Sequence, residues 1–234
     1  MLPKISYPIY DAEIPSTKLK IKYRPMLVKD EKILLTAKES GVPNDIFKAI
    51  QQIVNNCIVN ADFDVHTLTL FDMEFLFIKI RAVSVGNVVS ITYRDDEDDK
   101  DYSFNVDLEK IDVKFPDNQE LYIKFDDESS GLKLKYPVAD IYQSPVFENP
   151  DASPTDLFDE LVVHCLDQYF EGDKVVQFKD VPAAQIREFI DNLDVKTFQK
   201  VRDFINNLPT VYHEITYGKD KSLKLTSLTD FFSF

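Results

Sequence analysis

Residues 70–85 constrain this chain more than any other stretch. Leu70, Phe71, Met73, Phe75, Leu76, Phe77, Ile78, Ile80, Val83 and Val85 fall on every side of a helical projection, interrupted only by Asp72, Glu74, Lys79 and Arg81. A helix that is apolar all round must be buried all round. It is too short and too charged to span a membrane, so the rest of the chain has to enclose it. Thr69 stands at the N-cap position, and Asp72 three residues on makes an imperfect capping box. Gly86 ends the helix.

The flanking segments supply the enclosing faces. Residues 9–14, and Leu19, Ile21 and Tyr23 alternating with Lys18, Lys20 and Lys22, read as a strand pair turned at Pro15-Ser16-Thr17 and stopped at Pro25. Residues 30–38 read as a short helix stopped at Ser40-Gly41. Pro43 opens a second helix, with Asp45 near the positive end of its dipole and Ile46, Ile50, Ile53 and Cys57 on one stripe. Beyond Gly86, the alternations Val89, Ile91, Tyr93 and Tyr102, Phe104, Val106, Leu108 predict a hairpin. Its tip, residues 95–101, is acidic and expected to be solvated. Leu121, Ile123, Phe125 and Leu132, Leu134, Tyr136 predict a second hairpin around residues 126–131.

Prolines 145, 150 and 154 crowd residues 144–155 and mark a boundary. Ser153 caps the next helix, and Phe158, Leu161, Val162, Cys165, Leu166 and Tyr169 extend its stripe towards Gly172. Two further helices follow, one marked by Ile186, Phe189, Ile190 and Leu193. The other is capped by Asp194 and lined by Phe198, Val201, Ile205 and Leu208. Val211, His213, Ile215 and Tyr217, then Leu223 and Leu225, alternate as strands. The predicted fold is α+β, with antiparallel hairpins packed on a buried central helix and a C-terminal helical bundle closed by a short hairpin. The predicted domains are residues 1–143 and 144–234, with the packing of both as one unit left open.

Composition narrows the function. The chain's 234 residues carry 27 basic and 41 acidic side chains, a net charge of −14 that opposes binding to nucleic acid or an anionic membrane. Two cysteines cannot frame a disulfide scaffold and point to a reducing compartment. The opening residues lack the basic start and apolar run of a signal peptide.

No catalytic constellation emerges. A calcium loop counted from Asp95 would put Lys100 at the turn glycine and Val106 at the final carboxylate, so the run fits a charged hairpin tip instead. Cys57 and Cys165 sit far apart on apolar stripes, and His164 and Cys165 diverge on one helix, which opposes a zinc site. His66, His164 and His213 belong to no nucleophile or phosphate-binding motif. The chain reads as a non-enzyme with no catalytic, metal or cofactor residues. The interface candidates are the lysine strand (Lys18, Lys20, Lys22) and the closing aromatics (Phe231, Phe232, Phe234). The lysines also fit a merely exposed sheet face, and the phenylalanines must dock on the chain's own core or on a partner.

Several strings resemble one family. They are Met1-Leu2-Pro3-Lys4-Ile5-Ser6-Tyr7-Pro8-Ile9-Tyr10, Ile14-Pro15-Ser16-Thr17, and the run from Lys22-Tyr23-Arg24-Pro25 through Lys32-Ile33-Leu34-Leu35. The most specific is Phe71-Asp72-Met73-Glu74-Phe75-Leu76-Phe77-Ile78-Lys79-Ile80-Arg81-Ala82-Val83-Ser84-Val85-Gly86, and Leu228-Thr229-Asp230-Phe231-Phe232 closes the set. Together they look like the T-even-type phage baseplate hub proteins, nearly end to end and most weakly over residues 140–200. The resemblance implies a structural or assembly role in a contractile tail through contacts with other baseplate and tail proteins. It implies a place in the host cytoplasm during assembly and leaves presence in the virion open. It carries no catalytic residues. The cysteine pairs that tie hairpins in some members are absent at residues 94–101 and 218–221, which puts a zinc role in doubt. A transient chaperone, for instance of the tape measure, is the alternative; a carboxylate-based, metal-dependent hydrolase is a remote third. Oligomeric state stays open.

Overall fold

A computed structural model describes residues 5–126 and 129–232. In chain order the elements are β1 (Tyr10–Glu13), β2 (Lys20–Tyr23), α1 (Val28–Ser40), α2 (Pro43–Cys57), α3 (Leu70–Val85), β3 (Val88–Asp95), β4 (Lys100–Asp107), β5 (Asp112–Lys114), β6 (Tyr122–Lys124), β7 (Ser130–Leu134), α4 (Pro145–Glu148), α5 (Pro154–Cys165), β8 (Leu166–Glu171), β9 (Lys174–Gln177), α6 (Ala183–Asp191), α7 (Val195–Asn206), β10 (Thr210–Tyr217), β11 (Lys221–Leu225) and α8 (Leu228–Phe231). The fold is α+β, and every strand ladder is antiparallel.

The chain divides into two compact units, Met1–Lys114 with Thr210–Phe234, and Phe115–Pro209. The proline-rich stretch at 144–155, expected to mark a boundary, lies inside the second unit. The short β5 explains the difference: it pairs with β10, Val113 opposite Val211, and so ties the C-terminal hairpin into the first unit. Three residues with one inward valine are too short a run to stand out as a strand in the sequence.

In the first unit α3 is the centre. Phe71, Met73, Phe75, Leu76, Phe77, Ile78 and Ile80 are all buried, each large side chain contributing about 1.5–3 kcal/mol of transfer free energy. The capping box forms, with the Asp72 N–H donating to Thr69 Oγ1 at 3.3 Å and the Thr69 N–H to Asp72 Oδ2 at 3.4 Å, and the Thr69 hydroxyl also donates to Asp72 Oδ2 at 2.6 Å. Asp72 is wholly buried. It also accepts from the Ser16 backbone N–H at 2.9 Å and from the Ser16 hydroxyl. The β1–β2 turn is thereby fastened to the positive end of the α3 dipole. Asp30 does similar work. It is buried and accepts from Arg24 Nη1 at 2.8 Å, the Leu27 N–H at 2.9 Å and Asn56 Nδ2 at 3.1 Å, joining the end of β2, the start of α1 and the end of α2. Burial alone would raise its carboxyl, but the Arg24, Leu27 and Asn56 bonds outweigh it and hold the group below the usual range.

The second unit is a four-stranded sheet, β6-β7-β8-β9, covered by α5, α6 and α7. Its core is built from Ile123, Leu132, Leu134, Val162, Cys165, Leu166, Phe178, Val201 and Phe204. Here the expected long helix is corrected. It stops at Cys165, and Leu166–Glu171 is a strand pairing with β7 on one side and β9 on the other. Leu166 and Tyr169 satisfy a 3/4 spacing, but the segment earns two ladders of backbone hydrogen bonds as the strand between β7 and β9, which a helix end could not offer. Glycine at 131 makes this possible. A Cβ there would sit 2.3 Å from the Ile123 carbonyl oxygen and 2.6 Å from Phe170 Cζ. Gly172, read as a helix stop, is the first residue of a two-residue turn with φ 54°, between the paired residues Glu171 and Lys174.

Candidate interaction surfaces

The lysine strand is less basic than its sequence. Lys20 and Lys22 project from β2 opposite Glu13 and Asp11 of β1, and Lys22 Nζ lies 2.8 Å from Asp11 Oδ1. Lys18 sits in the turn with φ 60°. Directly opposed residues share one face of an antiparallel pair, so the expected basic face is one of mixed sign. A solvent-exposed pair of this kind contributes about 0–1 kcal/mol.

The acidic tip is not wholly solvated either. Asp95 is buried and accepts from Lys221 Nζ at 2.6 Å, the Glu97 N–H at 2.9 Å and the Tyr217 hydroxyl at 2.9 Å. The Lys221 bond leads in pulling its carboxyl down to about 2, with the Glu97 and Tyr217 bonds assisting against burial. Tyr217 itself packs against Tyr93, Tyr102 and Phe104 at centroid distances of 5.9, 4.8 and 5.6 Å. The hairpin β3–β4 is therefore held by the C-terminal hairpin; Asp98 is half-buried and accepts the Tyr102 hydroxyl at 2.7 Å, and Asp96, Glu97, Asp99 and Asp101 are exposed.

The closing aromatics dock on the chain itself. Phe231 is buried in the core. Phe232 meets Phe77 edge-on at 5.9 Å and lies 5.9 Å from the Arg81 guanidinium. Both are thus occupied within the first unit, and Phe234 lies outside the described residues.

The charges on α3, which the sequence presents only as interruptions, prove more informative. Asp72 serves the cap. Lys79 Nζ donates to the carbonyls of Glu109 at 2.8 Å and Ile111 at 2.9 Å, closing the turn after β4. Glu74 and Arg81 have no such employment. Glu74 lines a groove of about 270 Å³ with Ala37, Val42, Ile46, Phe47 and Leu228. Burial, with Asp230 adding repulsion, pushes its carboxyl up to about 7. Arg81 lines a second groove of about 800 Å³ with Leu34, Leu35, Phe77, Phe232 and residues 88–92. Among the described residues its Nη1 is buried without an acceptor, and burial, opposed by Glu31, lowers its pKa. The signal that could have found both residues is simple: a charge on a helix that packs on every side must be paired, capped or at a gap.

The chemistry-bearing residues are occupied structurally. Cys57 and Cys165 are fully buried and free, their thiols pushed up by burial to about 11 and 12. In the second unit Ser144, Glu160 and His164 cluster, but the order is not that of a nucleophile and its base. Ser144 donates to Glu160 Oε1, Arg187 Nη2 donates to Glu160 Oε2, and His164 stands 3.5 Å from the same carboxylate. Burial would raise Glu160; the Ser144 and Arg187 bonds prevail and lower it. The cluster fastens the proline-rich segment to α5, since Ser144 also caps α4. Among the described residues no three His, Cys, Asp or Glu side chains gather where a metal ion could sit, and no helix is long and apolar enough to cross a membrane.

No curated protein and no solved structure matches this chain. The family described as T4 bacteriophage base plate protein matches residues 7–233. That span takes in every described element and, from Tyr7 onward, the strings that carried the resemblance, through the β1–β2 turn and α3 to α8. The chain belongs to the family of T4 bacteriophage base plate proteins.

Proposed function

We propose that this protein takes part in building the baseplate hub of a contractile phage tail, as a structural or assembly component acting through protein–protein contacts. The observation that carries the reading is the family match across residues 7–233. It is supported by how the chain uses its reactive groups. The buried cysteines, the Ser144–Glu160–Arg187 cluster and the Asp95–Lys221 pair are each spent on holding elements together. The partners are other baseplate and tail proteins.

The test is co-purification. The tagged chain, expressed during infection, is expected to bring down the other products of the tail gene cluster. Recovery of the chain free of any baseplate component would overturn the reading. Mass spectrometry of purified virions then separates two versions of it. Stoichiometric presence marks a resident hub subunit, and absence from virions with presence on assembly intermediates marks a transient assembly factor.

A further inference from the structure

The groove beside Arg81 has a property that its apolar lining does not explain. Val88, Val89, Ser90, Ile91 and Thr92 all line it. Side chains of a strand point alternately to opposite faces, so five consecutive residues can border one groove only along the edge of the strand. That edge is open among the described residues, because β3 pairs with β4 and no other strand. Among the described residues the groove therefore presents a strand edge without a ladder partner, an apolar wall from Leu34, Leu35 and Phe232, and a buried guanidinium nitrogen with no acceptor. Of the carboxylates nearby, Glu31 acts on the Arg81 charge without bonding Nη1, and Asp230, which lines the groove, uses its Oδ2 to accept the Thr226 and Ser227 N–H groups at 2.7 and 2.9 Å.

We propose that this groove receives an extended segment of another baseplate protein, added as a strand along β3 and carrying an aspartate or glutamate whose carboxylate pairs with Arg81. The identity of the partner rests on the baseplate reading; the chemistry of the segment does not. Main-chain bonds to an open sheet edge provide affinity in this mode of recognition, and side-chain pockets provide specificity. The guanidinium fork matches a carboxylate in two parallel bonds. The segment would read as alternating apolar residues with one acidic side chain.

The experiment is an NMR titration of the isotopically labelled full chain with the peptide acetyl-Thr-Val-Glu-Val-Thr-amide. Two controls go with it: the same peptide with glutamine for glutamate, and the same peptide N-methylated at both valines. The glutamate peptide is expected to shift the amides of residues 88–92 and the Arg81 Nε–H. The glutamine peptide should bind about tenfold more weakly, for loss of one charge-assisted pair, and the N-methylated peptide should not bind. Absence of shifts at millimolar peptide, equal affinity of the two unmethylated peptides, or shifts centred elsewhere would overturn the proposal. So would concentration-dependent changes at residues 88–92 in the free chain, which would give the edge to a second copy. Arg81→Gln should abolish the preference for glutamate, and Arg81→Lys should keep part of it. The peptide comparison runs on the unaltered chain, so it stands even where a variant fails to fold. It uses no phage partner, so failed co-purification would sink the baseplate reading while leaving this result in place, and the converse.

Discussion

Lys221 Nζ lies 2.6 Å from Asp95 Oδ2, an ion pair between residues 126 positions apart that locks the tip of one hairpin to the turn of another. Around it, Tyr217 donates to the same carboxylate. The pair is what makes an acidic hairpin part of a folded unit rather than a loose arm. Its pH dependence has a definite sign. The Asp95 carboxyl is held at about 2, below its ordinary 3.8. Its contribution is thus present above the ordinary value and lost as pH falls through the folded one. Thermal melts should show Asp95→Asn less stable than the parent at neutral pH, with the gap closing between about pH 4 and pH 2. A constant gap across that window would remove the ion pair from the account.

Glu74 carries the opposite sign. Its carboxyl is raised to about 7 from an ordinary 4.5 by burial, with Asp230 of α8 reinforcing the shift. Lys38 of α1 is the cation that shares its groove. The neutral form suits the fold, so this site favours stability fully below pH 4.5 and opposes it above the folded value. Glu74→Gln should raise the melting temperature at pH 8 and leave it unchanged near pH 4. Equal melting temperatures at pH 8 would show that the groove hydrates the carboxylate.

Phe75→Asp or Leu76→Asp should unfold the first unit. Each places an unpaired charge among side chains that are themselves buried, at a cost of about 4 kcal/mol or more. Retention of parental melting behaviour in both variants would remove α3 from the centre of the core.

Phe231→Ala should cost about 3–5 kcal/mol, as for other buried aromatics, because the ring is part of the core and not a free docking tail. Phe232→Ala should cost less, since Phe232 is only half-buried. A Phe231→Ala protein that melts like the parent but no longer assembles would return the residue to the role of an interface.

Gly131→Ala should destabilise the second unit by about 2 kcal/mol, the range for overpacking. The added carbon would meet a backbone oxygen at 2.3 Å, which has no flexible side chain to turn aside. Hydrogen exchange at β6, β7 and β8 should report the loss, and unchanged protection there would contradict the tight pairing.

Periodicity and capping, which are local, were enough to read α3 with its Thr69–Asp72 cap, the β3–β4 and β10–β11 hairpins, and the helices opened by Pro43, Ser153 and Asp194. The family was legible in strings from the same elements. What depended on distant partners was not. Residues 166–171 suit a helix stripe and a strand almost equally, and β7 with its Gly131 decides between them. Asp112–Lys114 is a strand only because β10 lies beside it. The lysines of β2 form a basic face until Asp11 and Glu13 are placed opposite. Asp72, Glu74, Lys79 and Arg81 are four equivalent interruptions in the sequence. Packing bonds two, Asp72 at the cap and Lys79 at the turn after β4, and leaves two at grooves, because the cost of a charge is set by what surrounds it, and its surroundings come from distant residues such as Phe232, 151 positions along the chain from Arg81.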